Sequence, residues 1–155
     1  MLKILAIDPG NKQSAYVLLA QQIVEVGLIE NETCLQRICA LAAQVDVQVV
    51  CEKIESYGMP VGREVFDTVF FTGRLYEALR GGLEFVPRKD VKLALCGQLR
   101  AKDGNIIQAL KDRFGEKPTK AQPNPFYGGY KLKADEWQAL ALAVVVRDSH
   151  ANNTN

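Results

Sequence analysis

The sequence is poor in the side chains that build zinc and redox sites. Its 155 residues include a single histidine, His150, and four cysteines that form no C-x-x-C pair. A zinc site of Cys and His ligands therefore has no ligand set, and no disulfide framework is expected. Unpaired thiols are typical of proteins from reducing compartments, so we expect a cytoplasmic location.

Long apolar runs are also missing. The longest, ALALAVVV at 139–146, is far shorter than the roughly 20 residues that span a bilayer, so no membrane partner is expected. The first residues contain one lysine, a strand-like run and an acid, with no small-residue cleavage site, so no secretory signal is expected. With 48% hydrophobic and 24% charged residues, the composition predicts one globular domain over 1–149 and a disordered tail over 150–155.

The formal net charge of +1 conceals an asymmetry along the chain. Residues 1–77 carry 6 basic and 10 acidic side chains, whereas residues 78–155 carry 13 and 8. In 86–133 alone, 11 basic side chains stand against 4 acidic ones, interleaved with glycine, proline, asparagine and aromatic residues. This pattern favours a surface for a polyanion, although a solvated charged face is the alternative. The candidate phosphate contacts are basic residues of this segment: Arg88, Lys89, Lys92, Arg100, Lys102, Lys120 and Lys131.

Hydrophobic patterning predicts alternating strands and helices. Strands are predicted at 2–7, 14–20, 23–30, 47–54 and 83–88, and the main helices at 31–45, 63–82 and 134–149. Two short helices fall between residues 90 and 115, and 116–133 is a long loop because it holds three prolines and no apolar period. The order implies an antiparallel meander followed by parallel strands with right-handed crossovers. We therefore predict an α/β fold with a mixed five-stranded sheet and helices on both faces.

Three acidic residues stand where predicted elements begin or end. Asp8 ends the first strand, within ILAIDPGN, and Glu52 lies in the fourth strand after three residues that should be buried. A carboxylate buried in a strand is costly unless it is paired or binds a metal. Parallel strands 1 and 4 would bring both acids to the carboxyl edge of the sheet, where open α/β sheets commonly bind ligands. Asp135 begins the last helix, and three converging carboxylates would suit a hard cation such as Mg²⁺.

Each of these acids also has a purely structural explanation. Asp8 precedes Pro and Gly, so the whole stretch is also explained as a turn. Asp135 is placed where a helix N-cap would be, and Glu52 would be neutralised by an ion pair with Arg63. The neighbouring acid Glu136 is interpreted first as a solvated side chain.

The acidic segments together resemble the RuvC-type crossover-junction endonucleases of the RNase H-like superfamily. ILAIDPGN resembles the first strand of that family, VVCEKI its second acidic strand, and KADEWQALALAVVV its closing acidic helix. Short RuvC-like proteins of phage and prophage genomes are also similar in ESYGMPVGREVF, LCGQLRAKDGNIIQALKDRFG and PFYGGYKLKADEW. The resemblance covers nearly the whole chain in order. It implies an RNase H-like fold and a metal-dependent endonuclease acting on branched DNA, in the manner of a Holliday junction resolvase.

The resemblance assigns the catalytic and metal-binding acids to Asp8, Glu52 and Asp135. It implies two Mg²⁺ ions per active site, about 3.5–4 Å apart, with Mn²⁺ able to substitute. The RuvC pattern has a second acid three residues after the first in the closing helix, and this chain has Gln138 there. The fourth ligand is therefore either the amide oxygen of Gln138 or the carboxylate of Glu136, which lies about 100° around the helix from Asp135.

Three further roles follow from the resemblance. Lys133 would orient the attacking water or stabilise the phosphate, or else is one lysine of a basic loop. Tyr57, in the loop at 56–62, would stack on bases at the junction, or else packs within its loop. The helix at 63–82 is more apolar than one sheet-facing stripe requires, which is explained by core packing or, as RuvC suggests, by a homodimer interface.

Two other activities remain open, and a third is disfavoured by size. A ribonuclease H would use the same acids to cut RNA in RNA/DNA hybrids. A nucleic-acid-binding module on the same fold, with weak or no catalysis, is favoured by the departure at Gln138. An actin-like ATPase needs two such subdomains and a second phosphate loop, for which 155 residues leave no room.

Overall fold

The central sheet positions every candidate acid. A computed structural model describes residues 1–154, in which one sheet is formed by β1 (Lys3–Asp8), β2 (Gln13–Leu19), β3 (Ile23–Glu30), β4 (Val47–Lys53) and β5 (Glu84–Pro87). The strands lie in the order β3-β2-β1-β4-β5. β1, β2 and β3 pair antiparallel, whereas β4 runs parallel to β1 and β5 parallel to β4. The predicted mixed five-stranded sheet is therefore confirmed.

Helices cover both faces of this sheet. They are α1 (Asn31–Ala42), α2 (Arg63–Ala78), α3 (Arg88–Cys96), α4 (Asp103–Phe114) and α5 (Ala134–Asn153). α1 and α2 pack on one face, against a core that includes Leu5 and Ile7. α4 and α5 pack on the other face, where Ile4 and Ala6 join a larger core. The predicted α/β fold with helices on both faces is confirmed.

Side-chain alternation along β1 and β4 decides where their last acids point. Ile7 and Cys51 lie opposite each other in the parallel pairing of the two strands, and both are buried under α1 and α2. Because successive strand residues point to opposite faces, the next residues, Asp8 and Glu52, lie on the face that α5 covers. The predicted neighbourhood of the first and fourth strands is thus confirmed, and it brings the two acids side by side.

The carboxyl end of the chain differs from expectation. The sequence predicts a disordered tail over 150–155, and this prediction is corrected by the structure, in which α5 continues to Asn153. Asparagine and histidine are weak helix formers. The buried Val146 nevertheless anchors the helix on the sheet, and His150 contacts the side chain of Gln48 in β4. Tertiary contacts therefore extend the helix beyond its apolar segment; residue 155 lies outside the described residues.

Among residues 1–154 the structure has neither a membrane-spanning helix nor a disulfide bond. Within residues 1–154, no helix combines the length and the apolar character needed to cross a bilayer. All four cysteine thiols are free.

The long loop at 116–133 contains one short 3₁₀ turn at Pro125–Tyr127, and the hydroxyl of the buried Tyr127 donates to the carbonyl oxygen of Gly115 at 2.6 Å. That bond ties the loop to the end of α4, beside α5.

Candidate metal centre and nucleic-acid interface

A polar turn fixes the end of β1, where the sequence reads IDPG. The N–H of Gly10 donates to Ser14 Oγ (3.0 Å), and its carbonyl oxygen accepts from Asn31 Nδ2 (2.9 Å). Ser14 Oγ donates in turn to Asn31 Oδ1 at 2.7 Å. A Cβ at position 10 would lie 2.2 Å from the carbonyl oxygen of Gln13, so only glycine fits. The turn is thus built by residues after Asp8, whose own carboxyl group is available to the site.

Asp8 and Glu52 form a pair of carboxyl groups within hydrogen-bonding reach of each other. Burial raises the pKa of Asp8 to about 9, and the hydrogen bond and negative charge of Glu52 act in the same direction. The charge of Asp135 raises this pKa further, whereas the guanidinium of Arg88 lowers it. Two carboxylates held this close repel each other when both are ionised. The pair therefore favours the binding of a proton or a cation.

Asp135 is the outermost of the three predicted acids. It lies in the first turn of α5, and its side chain is exposed. Its charge acts on Asp8, so it lies within electrostatic range of the carboxyl pair. Among residues 1–154, however, no three His, Cys, Asp or Glu side chains stand close enough together to form a ready metal cluster.

A small cavity opens beside the carboxyl pair, on the α5 side of the sheet. Its lining is formed by Ile7, Asp8, Glu52, Arg88, Val91, Gln138 and Leu142. Gln138 lies three residues after Asp135 and four before Leu142, so the three share one face of α5. Carboxylate and amide oxygens are the ligands that hard divalent cations take. The donor set therefore fits Mg²⁺ or Mn²⁺.

The structure separates the two candidates for a fourth ligand. Gln138 is 8% exposed, and its Oε1 accepts a hydrogen bond of 3.0 Å from Arg88 Nη2. The opposite end of this amide, Nε2, is buried and has no hydrogen-bond partner among residues 1–154. Glu136 is also buried, but its Oε1 accepts from the backbone N–H of Lys133 at 2.8 Å, an arrangement that caps the first turn of α5. Gln138 thus lines the cavity, whereas Glu136 serves the helix end.

Arg88 lies deeper than a surface phosphate contact would. It begins α3 directly after β5, its guanidinium contacts Asp103 as well as Gln138, and its side chain is only 22% exposed. Strand pairing accounts for this position, because Val86 of β5 pairs with Glu52 and Arg88 begins α3 two residues later, at the same end of the sheet. Sequence patterning marks Arg88 as one basic residue among many. The register of β5, which the sequence does not reveal, is what places it beside the acids.

A groove continues from Arg88 along the surface. It is lined by Tyr57, Arg88, Lys89, Lys92 and Leu99. Tyr57 is 56% exposed and occupies a turn in which both it and Gly58 have left-handed backbone angles, with φ 52° and 79°. An exposed aromatic ring beside three cations suits a nucleotide, with the base on the ring and phosphates on the basic side chains. This groove thus gathers the predicted aromatic residue and three of the predicted phosphate contacts.

The remaining predicted contacts lie at exposed positions outside this groove: Arg100, Lys102, Lys120, Lys131 and Lys133. Arg100 and Lys102 belong to the link between α3 and α4, and the other three belong to the loop before α5. Their exposure is compatible with binding phosphates, and equally with a solvated charged face. Their roles therefore stay predictions.

The apolar side chains of α2 lie partly in the core and partly on the surface. Phe71 and Leu75 are buried against the sheet. Phe66, Val69 and Phe70 are 63%, 45% and 72% exposed, and their spacing puts them on one face of the helix. Core packing thus explains part of the apolar surplus of α2, and an exposed apolar stripe remains.

The topology and the pair of acids at the carboxyl edge define an RNase H-like fold, in the form found in RuvC. The structure is similar to Thermus thermophilus RuvC, with a TM-score of 0.71 and 13% identity over 93% of this chain and 92% of that one. It is also similar to T. thermophilus RuvC in complex with a Holliday junction substrate, with a TM-score of 0.70 and 14% identity over 94% of this chain and 92% of that one. No protein-family model and no curated protein matches the sequence.

These similarities confirm the fold that the acidic motifs predict. An identity of 13–14% establishes the fold alone. The closer likeness to short RuvC-like proteins of phage and prophage genomes stays a prediction. Function has to be argued from the chemistry of the site.

Proposed function

We propose that this chain is a metal-dependent endonuclease that hydrolyses phosphodiester bonds in branched DNA, as a Holliday junction resolvase does. The observation that carries the proposal is the half-buried Asp8–Glu52 pair at the carboxyl edge of a RuvC-like sheet. Two ionised carboxylates this close destabilise the fold unless a proton or a cation neutralises them, and a carboxyl group with a strongly perturbed pKa in a cleft is typical of active sites. A basic groove beside the pair supplies a path for a polyanion.

The residues that would hold Mg²⁺, or Mn²⁺ in its place, are Asp8, Glu52 and Asp135. A bound divalent cation supplies a water that is activated at neutral pH and neutralises charge on the phosphate. Asp8 and Glu52 lie at the ends of neighbouring parallel strands, which brings both carboxyl groups to the same edge of the sheet. Asp135 completes the set from α5. Lys133, two residues earlier and exposed, would bind the phosphate or orient the attacking water.

The substrate would lie along the groove that begins at Arg88. Lys89 and Lys92 would bind backbone phosphates, which gives salt-dependent affinity with little sequence preference. Tyr57 would stack on an unpaired base, and branched DNA offers such bases where strands exchange. The complex of T. thermophilus RuvC with a Holliday junction supports a four-way junction as the substrate.

We further propose that two copies of the chain associate through the exposed stripe of α2. Symmetric cleavage of a four-way junction needs two active sites related by a two-fold axis, and the stripe of Phe66, Val69 and Phe70 is apolar and unpartnered within residues 1–154. Sedimentation velocity should show a dimer that Phe66→Ser/Phe70→Ser converts to a monomer. Val24→Ser, which removes an exposed valine from β3, is the control. A monomeric wild type would contradict the dimer.

The function is tested by incubating the purified chain with a synthetic four-way junction, a linear duplex and an RNA/DNA hybrid, each with Mg²⁺, Mn²⁺ or EDTA. We expect cleavage of the junction in either metal and none in EDTA, and Asp8→Asn should lower it by on the order of 10³-fold. Preferential cleavage of the hybrid would instead indicate a ribonuclease H. Binding of the junction without cleavage would favour the inactive binding module that Gln138 suggests. In either case the resolvase proposal would be wrong.

A further inference from the structure

The position of Arg88 suggests a specific role within this site. We propose that Arg88 is a built-in cation that takes the place of one of the two divalent ions, so that the site binds a single Mg²⁺ or Mn²⁺. This inference rests on the proposed nuclease function. It replaces the two-ion arrangement that the RuvC resemblance implies.

The first support is the position of Arg88 at the carboxyl edge of the sheet, where α3 begins. β1, β4 and β5 are consecutive parallel strands. Asp8 and Glu52 lie at the carboxyl ends of the first two, and Arg88 begins α3 directly after the third. All three line the cavity, and the guanidinium acts electrostatically on Asp8. Arg88 thus lies beside the carboxyl groups of Asp8 and Glu52, where a positive charge offsets their negative charge.

The second support is the way in which Arg88 is held. Gln138 accepts a hydrogen bond from Arg88 at 3.0 Å, and Asp103, which is 70% exposed, contacts the same Nη2 from the solvent side. A guanidinium only donates hydrogen bonds, so the amide oxygen of Gln138 must face it. That orientation leaves Nε2 of Gln138 buried without a partner. The arrangement therefore positions Arg88 even though the other end of the amide stays unsatisfied.

The third support is the balance of charge. Asp8, Glu52 and Asp135 carry three negative charges when ionised, and one divalent ion together with Arg88, whose charge is shared with Asp103, offsets most of that charge. A fourth carboxylate at position 138 would call for a second divalent ion, but Gln138 is neutral. Its amide oxygen is engaged with Arg88 and is not available as a strong ligand. The neutral Gln138 and the cationic Arg88 are thus complementary partners in one hydrogen bond.

The role of Arg88 in the reaction follows from its geometry. A guanidinium presents planar pairs of N–H donors that match two oxygens of a phosphate. Placed beside the carboxylates, Arg88 would bind the scissile phosphate and stabilise the negative charge that develops on it, which a second ion does in two-metal sites. Arg88 would therefore act on the reacting phosphate itself.

The test counts Mn²⁺ ions bound to the purified chain by electron paramagnetic resonance and calorimetry. We expect one ion for wild type, one for Arg88→Lys, two for Arg88→Gln/Gln138→Asp, and none at this site for Asp8→Asn. Lys117→Gln, which removes an exposed positive charge from the loop after α4, should leave the count at one. If the double variant does not fold, the wild-type count alone decides.

Cleavage gives an independent readout. The rate on a four-way junction should rise with the first power of Mg²⁺ concentration, and Arg88→Gln should lower kcat by about 10²–10³-fold. Lys89→Gln, its neighbour in the groove, should mainly raise KM. Two Asp8-dependent Mn²⁺ ions in wild type, or a second-power Mg²⁺ dependence, would overturn the role of Arg88 and leave the nuclease proposal standing. Binding of Mn²⁺ that Asp8→Asn does not change would overturn both.

Discussion

Glu25 of β3 and Asp8 of β1 are both acids on the central sheet, but their surroundings are opposite in charge. Glu25 accepts hydrogen bonds from Tyr16 (2.7 Å) and Arg37 (2.8 Å), and the contact with Arg37 holds its pKa below the usual range. Asp8 faces Glu52 instead, and burial beside a second carboxyl group raises its pKa to about 9. One acid is neutralised by the fold. The other is kept in an unfavourable environment, which is typical of functional sites.

The largest expected difference between the two acids is in catalysis. Asp8→Asn should lower junction cleavage by on the order of 10³-fold, because several kcal/mol of transition-state stabilisation depend on the bound cation. Glu25→Gln, the matched loss of one carboxylate from the same sheet, should stay within a few-fold of wild type. Single-turnover cleavage of a labelled junction in Mg²⁺ measures both. Equal losses would show that the site assignment is wrong.

The next difference concerns stabilisation by metal. At a Mg²⁺ concentration 100 times its Kd, the free energy of unfolding of wild type should rise by about 2.7 kcal/mol, since the ion binds only the folded chain. Glu25→Gln should show the same gain, and Asp8→Asn should show none. Thermal unfolding with Mg²⁺ and with EDTA tests this. A gain that survives in Asp8→Asn would place the ion elsewhere.

In EDTA the two substitutions should change stability in opposite directions. Asp8→Asn removes the cost of taking up a proton at Asp8 on folding and should raise the free energy of unfolding by on the order of 1–3 kcal/mol at pH 8. Glu25→Gln removes the partner of Arg37 and should lower it. Chemical denaturation of the two variants in parallel gives both signs. Destabilisation by Asp8→Asn would mean that this acid serves the fold.

The pH dependence of these effects follows from the pKa shifts. The pKa of Asp8 rises from 3.8 in the unfolded chain to about 9, so the folded state holds the extra proton between these values. Stability from this group is full below about pH 4 and declines as the pH rises towards 9. The gain from Asp8→Asn should therefore grow over this range. Glu25 has a lowered pKa, so its contribution is present above 4.5 and is lost as the pH falls through its folded value.

The smallest effect should come from the hydroxyl that supports Glu25. Tyr16→Phe removes one hydrogen bond to Glu25 and should cost about 1 kcal/mol of stability. The ring itself has room because Gly27 lies beneath it, where a Cβ would be 2.3 Å from the ring. Cleavage should be unchanged at a temperature well below unfolding. A loss of cleavage would connect this side of the sheet to the active site.

The contrast between these regions also shows what a sequence can reveal. The adjacency of Asp8 and Glu52 is predictable from the sequence. Two apolar strands connected through a helix are parallel, so the acids that follow their buried residues both lie at the carboxyl edge of the sheet. The place of Arg88 is not predictable, since β5 is only four residues long and its register depends on packing. A basic residue at such a strand end fits a surface and a site equally well.

The different roles of Glu136 and Gln138 on α5 cannot be predicted from the sequence for a similar reason. Glu136 and Gln138 are both polar residues of one helix turn, and periodicity cannot tell which one caps the helix and which one lines the cavity. The backbone N–H of Lys133 engages the carboxylate of Glu136, and Arg88 engages Gln138. These contacts depend on three-dimensional neighbours. The helix at its far end likewise extends to Asn153 through contacts with β4 that no local propensity encodes.

The most direct test of the central claim, that strands β1 and β4 hold a divalent cation between their terminal acids, is the anomalous scattering of a crystal soaked in Mn²⁺. We predict a peak within ligand distance of both the Asp8 and the Glu52 carboxylates. A crystal that binds Mn²⁺ only elsewhere would contradict it.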